Sequence, residues 1–538
     1  MRKITHYDLI IRNGTVYDGS GNPPFRGDIA VNGDRIAGIG SLEQDTAESI
    51  VDAQNLSITP GFINMLSWAT DSLIEDGRSY SDIRQGVTLE VMGEGWSAGP
   101  LNEQMKQELL ERQSDIKYDI SWTSLSEYLE YLEAKGVSCN IASFVGATTV
   151  RIHTLGYEDR KPTPEEMEKM KGLVDQAMRE GALGVASALI YPPAFYADTN
   201  ELIELCKVAA RYNGMYISHI RSEGTQFLEA IDELIFIARE ANIRAEIYHL
   251  KAAGRNNWHK FDLAIEKINN AREKGLQITT DCYTYTAGAT GLTASFPPWT
   301  YEGGHKELIK RLKDPDVRKQ ITTEVLSETK AWENLYLEAG PEKMLLVAFK
   351  KLKPLTGMTL AQVAKERGKD PLETAMDLVV EDDSRIGTVY FMMSEENVRK
   401  KIQIPYMSFG SDEASEAPEG VFLKSNCHPR AYGNVTRLLG KYCRDEKLIT
   451  LEEAIRKLTS LPAINLKITD RGLLKEDFYA DIVIFDPNKI KDHATYEKPH
   501  QLASGIVHVF VNGIQVLKNG EHTNVTPGRV VRGPGWGN

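Results

Sequence analysis

The sequence predicts an α/β protein: a (β/α)₈ TIM-like barrel with a small β-sandwich domain formed from both chain ends. Three observations carry this prediction. β-type and helical runs alternate over roughly 400 central residues, the pattern of a parallel barrel. Short alternating apolar runs with tight-turn dipeptides open the chain, and the same pattern returns near its end.

The β-type ends are marked by Asn-Gly dipeptides, which favour two-residue hairpin turns. They occur at Asn13-Gly14, Asn32-Gly33 and Asn512-Gly513. A strand set that is started by one end and completed by the other requires the middle of the chain to leave and return. We therefore expect a β-sandwich domain from residues 1–60 plus 466–538 and a barrel domain from residues 61–465.

Successive βα units occupy the centre of the chain. Helical stretches are predicted over Pro164–Glu180, Phe227–Glu240 and Phe261–Glu273, each next to β-type runs such as MYISHI and LQITTDCYTY. The alternation of β-type and helical runs stops after Pro297-Pro298, where charged helical segments appear. We interpret residues 296–340 as an insertion that could cover the site.

Composition excludes several classes of protein. Hydrophobic residues make up 41% of the 538 residues, enough for packed cores and inconsistent with disorder. The net charge of −13 gives no general attraction to nucleic acid or anionic membranes, and no apolar run reaches the length of a membrane span. The five cysteines lack any CxxC spacing, which favours buried thiols in a reducing compartment. We expect a cytoplasmic protein with a small-molecule substrate; its oligomeric state is not predicted.

Two histidines stand at matching points of successive βα units. His219 ends MYISHI and His249 ends RAEIYHL, thirty residues further on. Neighbouring strand ends of a barrel point into one basin, so the pair favours a divalent metal site. Either histidine alone could be a strand-end hydrogen-bonding residue.

Asp412 ends a late β-run in YMSFGSD. A carboxylate at that junction suits a general base, which takes a proton from water and returns it to a leaving nitrogen. The alternative is that Asp412 caps a following helix.

Several segments, in this order, resemble the N-acyl-D-amino-acid deacylase (D-aminoacylase) branch of the amidohydrolase superfamily over essentially the whole chain. They are YDLIIRNGTVYDGSG, TPGFIN, YISHIRSEG, YHLKAAG, TDCYTYTAG, FGSDEAS, HPRAYG and GLLKEDFYADIVIFDP. The resemblance implies a zinc-dependent barrel that hydrolyses the amide of an N-acyl-D-amino acid. It also implies that His219 and His249 are metal ligands and that Asp412 is the catalytic aspartate.

The same resemblance places four residues around the substrate: Lys251, Tyr191, Tyr283 and Arg430. Two cations suit the free carboxylate of an N-acyl amino acid. Lys251 and Arg430 could instead be structural ion-pair partners.

The chain departs from the family pattern at two motifs. The superfamily has His-x-His after PGFID, but here PGFIN is followed by Leu66 and Trp68 at the histidine positions. The family's cysteine ligand after GVTT is also absent, and Glu94 lies at or beside its place. Glu94, His219 and His249 would form a His₂Glu set for one Zn²⁺. The alternative is that Glu94 only stabilises its loop and the metal site has decayed.

Three functions are consistent with these residues. The first is hydrolysis of N-acyl-D-amino acids, and the second is hydrolysis of another C–N bond, such as a cyclic amide or a D-dipeptide. The third is a barrel that has lost catalysis and only binds a ligand.

Overall fold

The computed structural model describes residues 4–327 and 331–537. Residues 1–3 and 538 of the predicted end domain, and residues 328–330 of the predicted insertion, lie outside the described part. No helix in the described part is both long and apolar enough to cross a membrane.

The centre of the molecule is a closed parallel barrel. Within the described ranges its eight strands are Phe62–Asn64, Val87–Met92, Asn140–Ser143, Gly184–Ala188, Met215–His219, Arg244–Ile247, Ile278–Cys282 and Met407–Phe409. Val145–Gly146 continues the third strand and pairs with the fourth. The eighth strand closes on the first, because Met65 N–H donates to the carbonyl of Phe409 at 3.1 Å. The predicted barrel is confirmed.

Helices surround the barrel. The α-helices of the described residues are Thr70–Glu75, Tyr80–Ile83, Glu103–Arg112, Leu125–Lys135, Ala147–Leu155, Pro164–Arg179, Thr199–Arg211, Phe227–Glu240, Phe261–Glu273, His305–Leu312, Pro315–Val325, Leu335–Ala339, Leu360–Arg367, Pro371–Asp382, Glu395–Gln403, Arg430–Arg437, Leu451–Leu458 and Ser460–Leu466, and a π-helix, Leu438–Asp445, continues the Arg430–Arg437 helix. The Pro164–Arg179 helix starts where its sequence dictates. Thr163 and Glu166 form a capping box, and Pro164 occupies the first turn, where its missing N–H costs nothing.

The two chain ends share one sheet. Its strands in the described residues are His6–Val16, Phe25–Asn32, Arg35–Gly40, Thr46–Asp52, Ser57–Pro60, Ile482–Phe485, Ile506–Val511, Ile514–Lys518 and Glu521–His522. The ends meet where Ser57–Pro60 runs antiparallel to Ile482–Phe485, with Ile58 opposite Ile484. Buried aliphatic side chains from both ends form one core there, so neither end has a complete core without the other.

The last residues leave this sheet and return to the barrel. Gly528 N–H donates to the Val137 carbonyl at 2.7 Å, and Val531 N–H donates to the Ile141 carbonyl at 2.8 Å. A Cβ at Gly528 would lie 2.0 Å from the Cys139 carbonyl oxygen, so only glycine permits this approach.

The chain between the seventh and eighth barrel strands forms a separate layer. It contains the helical segments predicted within residues 296–340 and an antiparallel sheet of Gly288–Gly291, Met344–Ala348 and Gly387–Tyr390. This layer touches the loops at the carboxyl ends of the barrel strands. For example, the Tyr196 hydroxyl donates to the Pro298 carbonyl at 2.7 Å.

Candidate active site

The three predicted metal ligands lie together at the carboxyl ends of the barrel strands. Glu94 follows the second strand, His219 ends the fifth and His249 follows the sixth. Glu94 Oε1 lies 3.3 Å from His219 Nδ1 and 3.0 Å from His249 Nε2. One ligand atom from each residue lies within 4.8 Å of the others, and all three side chains are buried.

An unusual backbone conformation directs the side chains of two site residues. His249 and Asp412 have φ of 34° and 52°, a region that non-glycine residues rarely occupy. The His249 N–H is held by the Asp281 carboxylate at 2.8 Å, and the Asp412 N–H by the Leu66 carbonyl at 2.8 Å. These bonds offset the strain and turn both side chains toward the basin.

A second carboxylate, Glu223, supports the histidines from outside. Its Oε1 lies 2.9 Å from His249 Nδ1 and 2.5 Å from Lys251 Nζ, and its Oε2 lies 3.6 Å from His219 Nε2. Histidine ligands of metals usually use their other ring nitrogen in this way, which fixes the ring orientation.

The site favours positive charge. Burial acts to raise the pKa of Glu94, but hydrogen bonds and charges from His219 and His249 outweigh it and hold this pKa far below its usual range. Burial and Lys251 act to lower the pKa of His249, yet Glu223 and Glu94 raise it to about 10. Two ionised carboxylates around two imidazoles form an environment suited to a cation.

Asp412 lies close to the three candidate metal ligands, and Trp68 connects it to one of them, Glu94. The indole N–H of Trp68 lies 3.0 Å from Glu94 Oε2 and 3.2 Å from Asp412 Oδ1, so it is shared between the two carboxylates. Arg430 holds the other side, with Nη1 2.9 Å from Asp412 Oδ2 and Nη2 2.7 Å from the Asp412 carbonyl. Burial raises the pKa of Asp412 while Arg430 lowers it. No helix begins at Asp412, so the capping alternative does not apply.

The four residues expected around the substrate also border this basin. The Arg430 guanidinium lies 4.3 Å from the centre of the Tyr283 ring, and the Lys251 ammonium lies 5.7 Å from the same centre. The Tyr191 ring meets His219 edge to face at 5.3 Å. Lys251 and Arg430 also form buried ion pairs, with Glu223 and Asp412 respectively, so both cations are part of the site's charge balance.

Sequence reasoning assigned no role to two residues of this network. Glu223 lies four residues after His219 at the same strand end, and this spacing alone could have predicted that its carboxylate lies near the histidines. The sequence marks Trp68 only as a replacement for a family histidine, because nothing local indicates that its indole reaches Asp412. His428 lies beside this network, and its Nδ1 accepts a hydrogen bond from the Arg430 backbone N–H at 3.0 Å.

Comparison with known proteins shows the family to which this chain belongs. The profile of the Amidohydrolase family matches residues 49–517. The chain belongs to this family. It is 32% identical to a D-aminoacylase of Alcaligenes xylosoxydans xylosoxydans, over 98% of this chain and 97% of that protein.

Two solved structures share the fold over 98% of this chain and 100% of theirs. One is an N-acyl-D-glutamate deacylase from Bordetella bronchiseptica with zinc and a phosphonate that mimics the tetrahedral intermediate, with TM-score 0.81 and 28% identity. The other is a D-aminoacylase whose binuclear metal centre is described as activated by one metal and attenuated by a second, with TM-score 0.81 and 30% identity.

Proposed function

We propose that this chain is a zinc-dependent deacylase that hydrolyses the amide bond of N-acyl-D-amino acids to a carboxylate and a free D-amino acid. One observation carries the proposal. A buried Glu94–His219–His249 group faces Asp412 in a chain that matches a D-aminoacylase over nearly its whole length. A barrel that had lost catalysis would not need this arrangement.

The residues present fit a zinc ion. Two imidazoles and one carboxylate are a known donor set for catalytic zinc, and Glu223 supplies the outer hydrogen bond that such histidines require. The buried His219 Nε2 has no hydrogen-bond partner, although it lies near Glu223. When bound, zinc would supply Lewis acidity at the scissile carbonyl.

Asp412 is positioned to move the proton. Its carboxylate accepts a proton from the attacking water and delivers it to the nitrogen that leaves as the amine, so the reaction ends with Asp412 unchanged. Trp68 and Arg430 restrict this carboxylate from two sides, so it is oriented before the substrate arrives.

The substrate carboxylate is proposed to bind Arg430, Lys251 and Tyr283. Tyr191 is proposed to line the part of the site that takes the substrate's acyl group. Arg430 Nε makes no hydrogen bond, which leaves a buried donor for an anionic ligand. The Lys251 ammonium has three protons and donates one to Glu223 Oε1 at 2.5 Å. His249 Nδ1 lies 2.7 Å from it but donates to Glu223 itself, so Lys251 keeps donor capacity for the same ligand.

We propose that one ion is bound. Leu66 offers no ligand atom, and the Trp68 indole N–H is a donor only, so neither can bind a cation. Trp68 also fills the space between Glu94 and Asp412, where its N–H contacts both carboxylates.

The test is a substrate panel on protein purified without chelator. Matched N-acetyl-D- and N-acetyl-L-amino acids, a cyclic amide and a D-dipeptide are assayed for amine release or ring opening, with zinc content measured on the same samples. Turnover of the D-series with about one zinc per chain is expected. Activity confined to the cyclic amide or the dipeptide would assign the second function. Absence of both zinc and turnover would assign a ligand-binding barrel.

A further inference from the structure

A second group of metal-ligating side chains lies away from the catalytic basin. Glu416 comes from the loop after the eighth barrel strand, Cys427 precedes the helix Arg430–Arg437, and His500 comes from the segment before Ile506–Val511. One ligand atom from each lies within 4.8 Å of the others. Three separate chain segments therefore converge on one point.

Polar atoms around this point lack partners. Glu416 Oε2, His500 Nε2 and the Tyr432 hydroxyl are buried without a hydrogen bond. Tyr432 is fully buried, and its ring lies 5.9 Å from that of His500. An unsatisfied buried polar atom is destabilising, so three of them near one thiol require an explanation.

The carboxyl group at this point also lacks a cationic partner within the described part of the chain. Among the described residues, no lysine or arginine forms an ion pair with Glu416. Burial and the neighbouring Glu413 raise the pKa of Glu416 to about 8. Burial and these two carboxylates likewise raise the pKa of the Cys427 thiol. A cation at the convergence point would satisfy the carboxylate and the imidazole together.

We propose that Glu416, Cys427 and His500 form a second, structural metal site for Zn²⁺ or a similar divalent ion, separate from the catalytic group. Oxygen, sulfur and nitrogen donors in one cluster suit zinc. On binding, the Cys427 S–H bond and the Glu416 carboxyl O–H bond are lost, both protons leave to solvent, and a sulfur–metal and an oxygen–metal bond form. Thiolate and carboxylate then neutralise the ion. His500 is partly exposed, which gives the ion a route in.

The site would fasten loops that carry catalytic groups. Cys427 lies next to His428, whose N–H donates to the Glu413 carboxylate at 3.2 Å, and three residues before Arg430. Glu416 lies four residues after Asp412. A metal joining Glu416 and Cys427 to His500 would limit the motion of both segments.

The test uses Co²⁺ binding to the full chain after removal of its metals. The catalytic group contains no sulfur, so a thiolate-to-Co²⁺ charge-transfer absorption reports on the Cys427 site alone. We expect two equivalents of Co²⁺ in the wild type, with this absorption. Cys427→Ser should lose the absorption and one equivalent, while Glu94→Gln should keep the absorption.

Cys443→Ser is the matched control, because Cys443 is also a free thiol with 8% exposure. It should retain both equivalents and the absorption. His500→Gln, at a partly exposed position, should weaken the thiolate-associated Co²⁺ affinity at least about tenfold, and it carries the test if Cys427→Ser does not fold. A single equivalent without thiolate absorption, or an absorption that survives in Cys427→Ser, would overturn the proposal. Because none of these readouts is catalytic, they are independent of the proposed deacylase activity.

Discussion

Trp68→Phe tests whether the indole N–H positions the Asp412 carboxylate, the proposed general base. The substitution keeps an aromatic ring and removes the donor that Glu94 and Asp412 share at 3.0 and 3.2 Å. A hydrogen bond to a charged group contributes about 1.5–3 kcal/mol. At about 1.4 kcal/mol per factor of ten, kcat should fall about 10- to 100-fold. KM should change little, because the indole contacts none of the residues assigned to the substrate carboxylate.

The assay is steady-state amine release from an N-acetyl-D-amino acid, with zinc content and melting temperature measured on the same preparation. Trp299→Phe is the control, since it removes an indole bond of 2.8 Å to the Glu324 carboxylate away from the ligand group. An unchanged kcat in Trp68→Phe would refute the positioning role. A fall in kcat matched by loss of zinc would assign Trp68 to metal retention instead.

Four further substitutions test the proposed metal ligands, the general base and a buried ion pair. Glu94→Ala and His249→Ala should each lower zinc occupancy and turnover, and elemental analysis showing full occupancy in either variant would remove that residue from the ligand set. Asp412→Asn should keep zinc and reduce kcat about 10²- to 10⁴-fold; near-normal turnover would exclude the general-base role. Arg151→Met should lower the free energy of unfolding by about 3–5 kcal/mol in a denaturant titration, because it leaves Glu201 buried and unpaired. A change under about 1 kcal/mol would show that Glu201 finds another partner or is protonated at little cost.

The barrel could be predicted because its signals are local. Each βα unit shows its own periodicity, and helices such as Phe227–Glu240 and Phe261–Glu273 have the bounds that their sequences indicate. The histidines could be predicted for the same reason, since His219 ends a recognisable strand and His249 lies two residues beyond another. Parallel strand order then brings their ends together without any knowledge of the contacts.

The layer between the seventh and eighth strands was harder to predict. Its strand Gly288–Gly291 reads GATG, which lacks the β-branched alternation of a typical strand. It forms because residues about a hundred positions away pair with it, as Gly288 does with Tyr390. Local propensity therefore carries little information about this sheet.

Leu66 and Trp68, at the positions of the superfamily's His-x-His motif, affect how the Asp412 carboxylate is oriented. Asp412 and Glu94 are like charges close together in a buried basin, and Glu94 acts to raise the pKa of Asp412. A second cation would offset that repulsion, but Leu66 and Trp68 cannot ligate one. In this chain Arg430 supplies a fixed positive charge 2.9 Å from Asp412, and Trp68 supplies an N–H dipole to both carboxylates. These groups are part of the chain, so they orient the Asp412 carboxylate without a second metal.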